Sequence, residues 1–195
     1  MITTDDIKVI GLNNDEIEYC VNFYNGMGFN TNSHVYSNRT QETHNYNSYS
    51  GKWGEYGYSK YANCVDEFIS RTDKQFAEKN KKLGDGGIDF SPNIDIKTST
   101  VESYWKFNNL DFYCPIQREF HKENIYVKTF ILRDEAIRIS NDLDNKHKKL
   151  FIFIVGWVSG SSLTTGSDVL DVMGNLTATT KLKNLEPMTC FPYMN

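Results

Sequence analysis

The stretch GDGGIDFSPNIDIKTS, residues 84–99, sets two aspartates and a lysine into what reads as a tight hairpin. Ser91-Pro92-Asn93 is turn chemistry between two runs that alternate apolar and polar residues, Ile88-Asp89-Phe90 and Ile94-Asp95-Ile96-Lys97. With Phe90 opposite Ile94 across this loop, Asp89 is expected opposite Asp95 and Ile88 opposite Ile96. The two-residue period of a strand then collects Asp89, Asp95 and Lys97 on one face and Ile88, Phe90, Ile94 and Ile96 on the other. Directly opposed Cβ atoms lie about 4.5–5.5 Å apart and like charges there repel, so a purely structural hairpin gains nothing from the pairing. A divalent cation removes the conflict, because two carboxylates are the usual protein share of a Mg site that waters and substrate phosphate complete. Lys97 beside it can hold or deprotonate a water, or neutralise developing phosphate charge. Read without a metal, the same run is a solvated strand face with a cross-strand salt bridge. Gly84, Gly86 and Gly87 ahead of it suit either a close backbone approach or a simple turn. Asp85, within that turn, is a rival to Asp89 with a less well fixed side chain.

A site of two strand carboxylates is commonly completed from a neighbouring element. Residues 53–70, WGEYGYSKYANCVDEFIS, read as one helix with an apolar stripe of Tyr58, Tyr61, Ala62, Val65, Phe68 and Ile69. At about 100° per residue, Glu55 projects on the border of that stripe and Glu67 to the opposite side. Asp66 shares the direction of Glu55 but lies roughly 16 Å farther along the axis. Glu55 is therefore the candidate third acid, with Gly54 and Gly57 letting that end of the helix approach the sheet. The competing role for Glu55 is to complement a helix N-terminal dipole.

The surrounding elements suggest an α/β chain. Residues 14–26 fit an amphipathic helix through Ile17, Cys20, Val21 and Tyr24, and residues 30–52, rich in Asn, Ser, Thr and Tyr, read as an irregular loop. Residues 101–113 and 125–132 alternate like strands, LRDEAIRISNDL reads as a helix, and KLFIFIVGWV as a strand buried on both faces. Beyond residue 159 one strand is expected around LTATTKLK. A central mixed sheet flanked by helices is the economical architecture.

Composition bounds the function. The 195 residues suit a single domain, and 39% hydrophobic with 24% charged residues is a soluble globular profile. No apolar run approaches a membrane span and the N-terminus lacks a signal-peptide pattern, so a cytoplasmic protein without membrane contact is expected. Cys20, Cys64, Cys114 and Cys190 show no CxxC or Cys/His spacing, which implies neither zinc nor a disulfide framework. A net charge of −4 argues against coating nucleic acid by bulk electrostatics. Two local basic clusters remain, Arg71, Lys74, Lys79, Lys81 and Lys82, and then Lys146 to Lys149, each more readily a solvated helix end than a binding patch.

WGEYGYSKYA, GGIDF and NIDIKTS together resemble the PD-(D/E)xK nuclease superfamily, whose members share the restriction-endonuclease-like fold. The resemblance covers roughly residues 53–158 and implies an αβββαβ core with N- and C-terminal additions, all within one domain, 1–195. It implies Glu55 as the helix acid, Asp89 and Asp95 as the metal-binding pair, and Lys97 as the catalytic lysine. The chain departs from the family in carrying Gly57 where Ala is frequent and in the short loop between the acidic strands. The implied activity is a Mg-dependent deoxyribonuclease, with Mn as a substitute, acting on DNA as an endonuclease; a homodimer is compatible with it. Tyr46, Tyr49, Trp53, Tyr56, Tyr58 and Tyr61 would then be candidates for stacking on unpaired bases, although several must be core. The alternative is a non-catalytic binding module, for nucleic acid or protein, that keeps the fold.

Overall fold

A computed structural model describes residues 2–27, 41–78, 88–117, 121–145, 148–163, 169–172 and 175–193. The chain begins with strand β1 (Lys8–Leu12) and helix α1 (Asn14–Met27). Asn13 starts α1 by a reciprocal cap, its Oδ1 accepting from the Glu16 N–H at 3.1 Å while the Asn13 N–H donates to Glu16 Oε2 at 2.7 Å. Ile17, Cys20 and Val21 then bury one side of the helix. Helix α2 (Gln41–Tyr61) is followed by α3 (Val65–Ala77). Strands β2 (Ile94–Val101), β3 (Tyr113–Gln117) and β4 (Ile125–Leu132), helix α4 (Arg133–Asn141) and strands β5 (Leu150–Ser159), β6 (Val169–Val172) and β7 (Asn175–Lys181) complete the order.

The α/β expectation holds at this level. The main sheet is mixed, in the order β1-β5-β4-β2, with β2 parallel to β4 and the other neighbours antiparallel. A second sheet, β3-β7-β6, lies apart from it. Strand alternation divides the core in two. Ile94 and Ile96 of β2, Val127 and Ile131 of β4, and Ile152 and Ile154 of β5 pack with Trp53, Tyr56 and Tyr58 of α2. Val101, Tyr126, Phe130, Phe153 and Val155 point the other way and pack with Cys114 and Ile116 of β3. The main sheet is thus the middle layer between helices and the small sheet.

Several boundaries move. Most of the expected loop over 30–52 is helical from Gln41 on, and residues 30–40 lie outside the described residues. The single helix expected over 53–70 is two helices, because Asn63 adopts a left-handed conformation (φ 55°) that ends the first. The expected strand over 101–113 is instead the end of β2, a 3-10 turn at Tyr104–Asn108, and the start of β3. Strand β1 has no counterpart in the sequence reading. Strands β4, β5 and β7 and helices α1 and α4 fall close to where they were expected.

Candidate functional site

The turn Ser91-Pro92-Asn93 forms as expected, with Phe90 and Ile94 exchanging backbone hydrogen bonds of 3.0 and 2.9 Å. The ladder stops at that bridge. Where a longer hairpin would offer a backbone carbonyl, the Asp89 carboxylate turns onto the open edge of β2, and its Oδ2 accepts from the Ile96 N–H at 2.6 Å. The Ile88 carbonyl accepts instead from Arg71 Nη1 at 3.0 Å. Asp89 therefore does not face Asp95 as one cross-strand pair in a ladder. It reaches β2 from the edge, while Asp95 leaves the strand on the face opposite Ile94 and Ile96. Ile88, expected on the apolar face, is exposed, whereas Phe90, Ile94 and Ile96 are buried. Gly84 to Gly87, including Asp85, lie outside the described residues.

Glu55 arrives from α2, which lies close against the sheet. A Cβ placed on Gly54 would sit 1.9 Å from Thr98 Oγ1, and one on Gly57 2.7 Å from Ile152 Cγ1. The expected role of these glycines is met: only a missing side chain lets the helix backbone come this near. Glu55 is buried, yet it is not a dipole complement at a helix start, because α2 begins fourteen residues earlier by its first residue, Gln41. Two cations hold its Oε2, Lys52 Nζ at 2.6 Å and Arg71 Nη2 at 3.3 Å. The same Arg71 Nη2 stands 3.7 Å from Asp89 Oδ1. Lys97 Nζ meets Asp95 Oδ1 at 2.6 Å.

The structure thus joins the four predicted residues as two pairs. Glu55 and Asp89 share Arg71 on the helix side and edge of β2, and Asp95 and Lys97 pair on its other face. Among the described residues, no group of three or more His, Cys, Asp or Glu could hold a metal ion. The donors are all carboxylate oxygens, which suit a hard cation such as Mg, and one or two of them are enough for Mg when water and phosphate supply the rest. Three assembled carboxylates, as the sequence suggested, are not present in this arrangement.

Two residues absent from the sequence reading of the site matter here. Arg71, in sequence part of a basic cluster that suits a solvated helix end, lies three residues after buried Phe68 and beside buried Thr72 on the inward stripe of α3. Lys128, on β4 in register with Lys97, is buried among apolar residues and donates to Ser99 Oγ at 2.6 Å and to the Pro115 carbonyl at 2.7 Å. Burial brings its ammonium down to about 7; Lys97 adds to this and the Cys114 thiol opposes it. Its signal was a lone lysine in the otherwise apolar alternation of IYVKTFIL.

Other expectations are redistributed. Tyr49, Trp53, Tyr56 and Tyr58 are core residues and are not available for base stacking. The exposed aromatics include Tyr104 and Trp105. Lys148, from the second basic cluster, is buried beside Glu18 and the Leu143 carbonyl, while Lys79, Lys81, Lys82, Lys146 and His147 lie outside the described residues. Burial pushes the Cys20 thiol well up and the Cys64 and Cys114 thiols up to about 11 and about 12, so these thiols stay protonated at neutral pH. Among the described residues no helix is long and apolar enough to cross a membrane. Comparison of the chain with protein-family models, with curated proteins and with solved structures gave no match.

Proposed function

We propose that the chain is a Mg-dependent endonuclease that hydrolyses DNA phosphodiester bonds, with a restriction-endonuclease-like core over residues 53–158. The observation that carries this reading is the meeting at Ile96 on the open edge of β2. The Asp89 carboxylate binds the Ile96 N–H, Asp95 and Lys97 flank that residue on the strand, and Glu55 is one guanidinium away. Over this span the main sheet takes β2, β4 and β5 with α4 between the last two, Glu55 comes from the preceding α2, and the Asp89 segment meets β2 by a single bridge.

A bound Mg ion would neutralise phosphate charge and make a coordinated water more acidic. Asp89 and Asp95 are the residues to hold it, with Glu55 as a further oxygen donor once released from its cations. Lys97, which pairs with Asp95 Oδ1 at 2.6 Å, would stand beside a phosphate oxygen or water held at such an ion. There its positive charge favours the developing negative charge of the transition state.

The second reading, a non-catalytic binding module, is favoured by one specific observation. Every acid of the candidate site already has a cation beside it, so the cluster is charge-balanced without a metal. Nicking of supercoiled plasmid separates the two. The nuclease reading requires conversion to open or linear forms with Mg or Mn and none in chelator; an unchanged plasmid under all metals leaves the binding module.

A further inference from the structure

Arg71, which the motif does not name, touches four groups at the site. Its Nη1 donates to the Ile88 carbonyl at 3.0 Å, its Nη2 lies 3.3 Å from Glu55 Oε2 and 3.7 Å from Asp89 Oδ1, and its guanidinium rests on the Phe90 ring, 5.1 Å from the centroid. The planar fork and the aromatic seat fix the group between two buried carboxylates. Lys52 Nζ, at 2.6 Å, also holds Glu55 Oε2, but Arg71 is the cation that stands against both acids, and without it two carboxylates out of water would share the Lys52 charge alone, which is unfavourable.

The Arg71 side chain is nevertheless 32% exposed, against 10% for Glu55 and 2% for Asp89. The acids are fixed in the fold and the arginine has a way out to solvent. It is joined to α3 by a flexible stem, so the guanidinium can leave while the helix stays in place. A divalent cation drawn to Glu55 and Asp89 and this guanidinium cannot both be accommodated, since each would stand in the other's field at a few ångströms.

We propose that Arg71 is the built-in counter-ion of the Glu55–Asp89 pair, and that a divalent cation engages both acids only by displacing its guanidinium. The inference rests on the nuclease reading for the identity of the cation. It makes Arg71 a positioning residue of the metal-free protein, holding the pre-formed acids apart from solvent until metal arrives.

The test is Mn binding by calorimetry together with thermal melts, on the whole chain and without DNA, for wild type, Arg71→Met and Arg71→Lys. Methionine keeps the stem packed on Phe90 and removes the charge. Arg71→Met is expected to melt lower than wild type in chelator, to bind Mn about tenfold or more tightly, and to gain more from Mn in its melting temperature. Arg71→Lys, which keeps the charge and loses the fork, should bind Mn with intermediate affinity, and it supplies the comparison if the methionine variant does not fold. Equal or weaker Mn binding by both variants overturns the role of Arg71. If wild type still cleaves plasmid with metal in that case, the nuclease reading survives alone. If no form binds Mn or cleaves, both fall and the cluster is a structural ion-pair network.

Discussion

The two faces of β2 handle opposite problems. On the helix face, Ile94, Ile96 and Thr98 lie under α2, and space is what is scarce: Thr98 Oγ1, which accepts from Thr129 Oγ1 at 2.9 Å, lies where a side chain on Gly54 would have to go. On the other face, Asp95, Lys97 and Ser99 meet β4 and β3, and charge is what must be managed. The contrast extends to the cations on the two sides. Arg71, which cannot lose its proton in a protein, is partly exposed and stands against the buried carboxylates of Glu55 and Asp89. Lys128 donates to Ser99 Oγ and the Pro115 carbonyl, neither of them an acid, and meets its burial by giving up its proton near neutral pH. One strand therefore carries a close-packed contact and a proton-releasing one back to back, and its N-terminal end is where the candidate site opens.

The largest effect should come from the packed face. Gly54→Ala forces its new methyl onto the Thr98 hydroxyl and should cost roughly 3 kcal/mol in urea unfolding, at the upper end of overpacking penalties. Gly54→Ala combined with Thr98→Ala should recover part of that loss, since the nearest clashing atom is gone. A neutral Gly54→Ala would mean that α2 does not sit this close to the sheet.

A smaller, pH-dependent effect is expected on the charged face. The folded-state pKa of Lys128, about 7, is below the ordinary lysine value of 10.5, so between these pH values the unfolded chain binds the extra proton. Stability from this group therefore rises as pH increases from 7 towards 10.5, by roughly 1 kcal/mol per pH unit, and its burial cost is greatest below 7. Lys128→Met should abolish that slope. It leaves the Pro115 carbonyl without its donor, a loss of about 1–3 kcal/mol that shows most clearly near pH 9. Near pH 6 the variant should come closer to wild type. Parallel stability curves for the two proteins from pH 6 to 10 would show that Lys128 keeps its proton. The smallest effect belongs to the far end of the strand, where Lys106 and Glu102 form an exposed pair at 3.8 Å. Lys106→Ala should move stability by less than about 0.5 kcal/mol, the usual scale of such pairs.

What the sequence made legible follows the strength of its local signals. β4 and β5 are long β-branched and aromatic runs, and α4 begins with acids and an amphipathic period, so each stood where its pattern put it. KVIGL is five residues with an exposed Val9 and a glycine, and only its pairing with β5 makes it a strand. The first half of α2 is rich in Asn, Ser and Tyr, residues of indifferent helix propensity, and burial of Tyr49 and Trp53 supplies what propensity does not. The site was legible as residue types and not as geometry. Alternation fixed the faces of Asp95 and Lys97. It had no means of showing that the Asp89 side chain would replace a backbone acceptor and end the ladder, or that a helix arginine seventeen residues before Ile88 would take the place assigned to a metal.

On the proposed nuclease reading, Lys97 acts in phosphodiester cleavage at a metal held by the adjoining acids. Single-turnover cleavage of plasmid DNA by wild type and Lys97→Ala, with Mn affinity measured on both by calorimetry, tests it most directly. Lys97→Ala is expected to cleave ~100-fold or more slowly with Mn affinity unchanged or somewhat raised, because a nearby positive charge is removed while the acids remain. Cleavage by Lys97→Ala at the wild-type rate, or loss of Mn binding in step with activity, would contradict it.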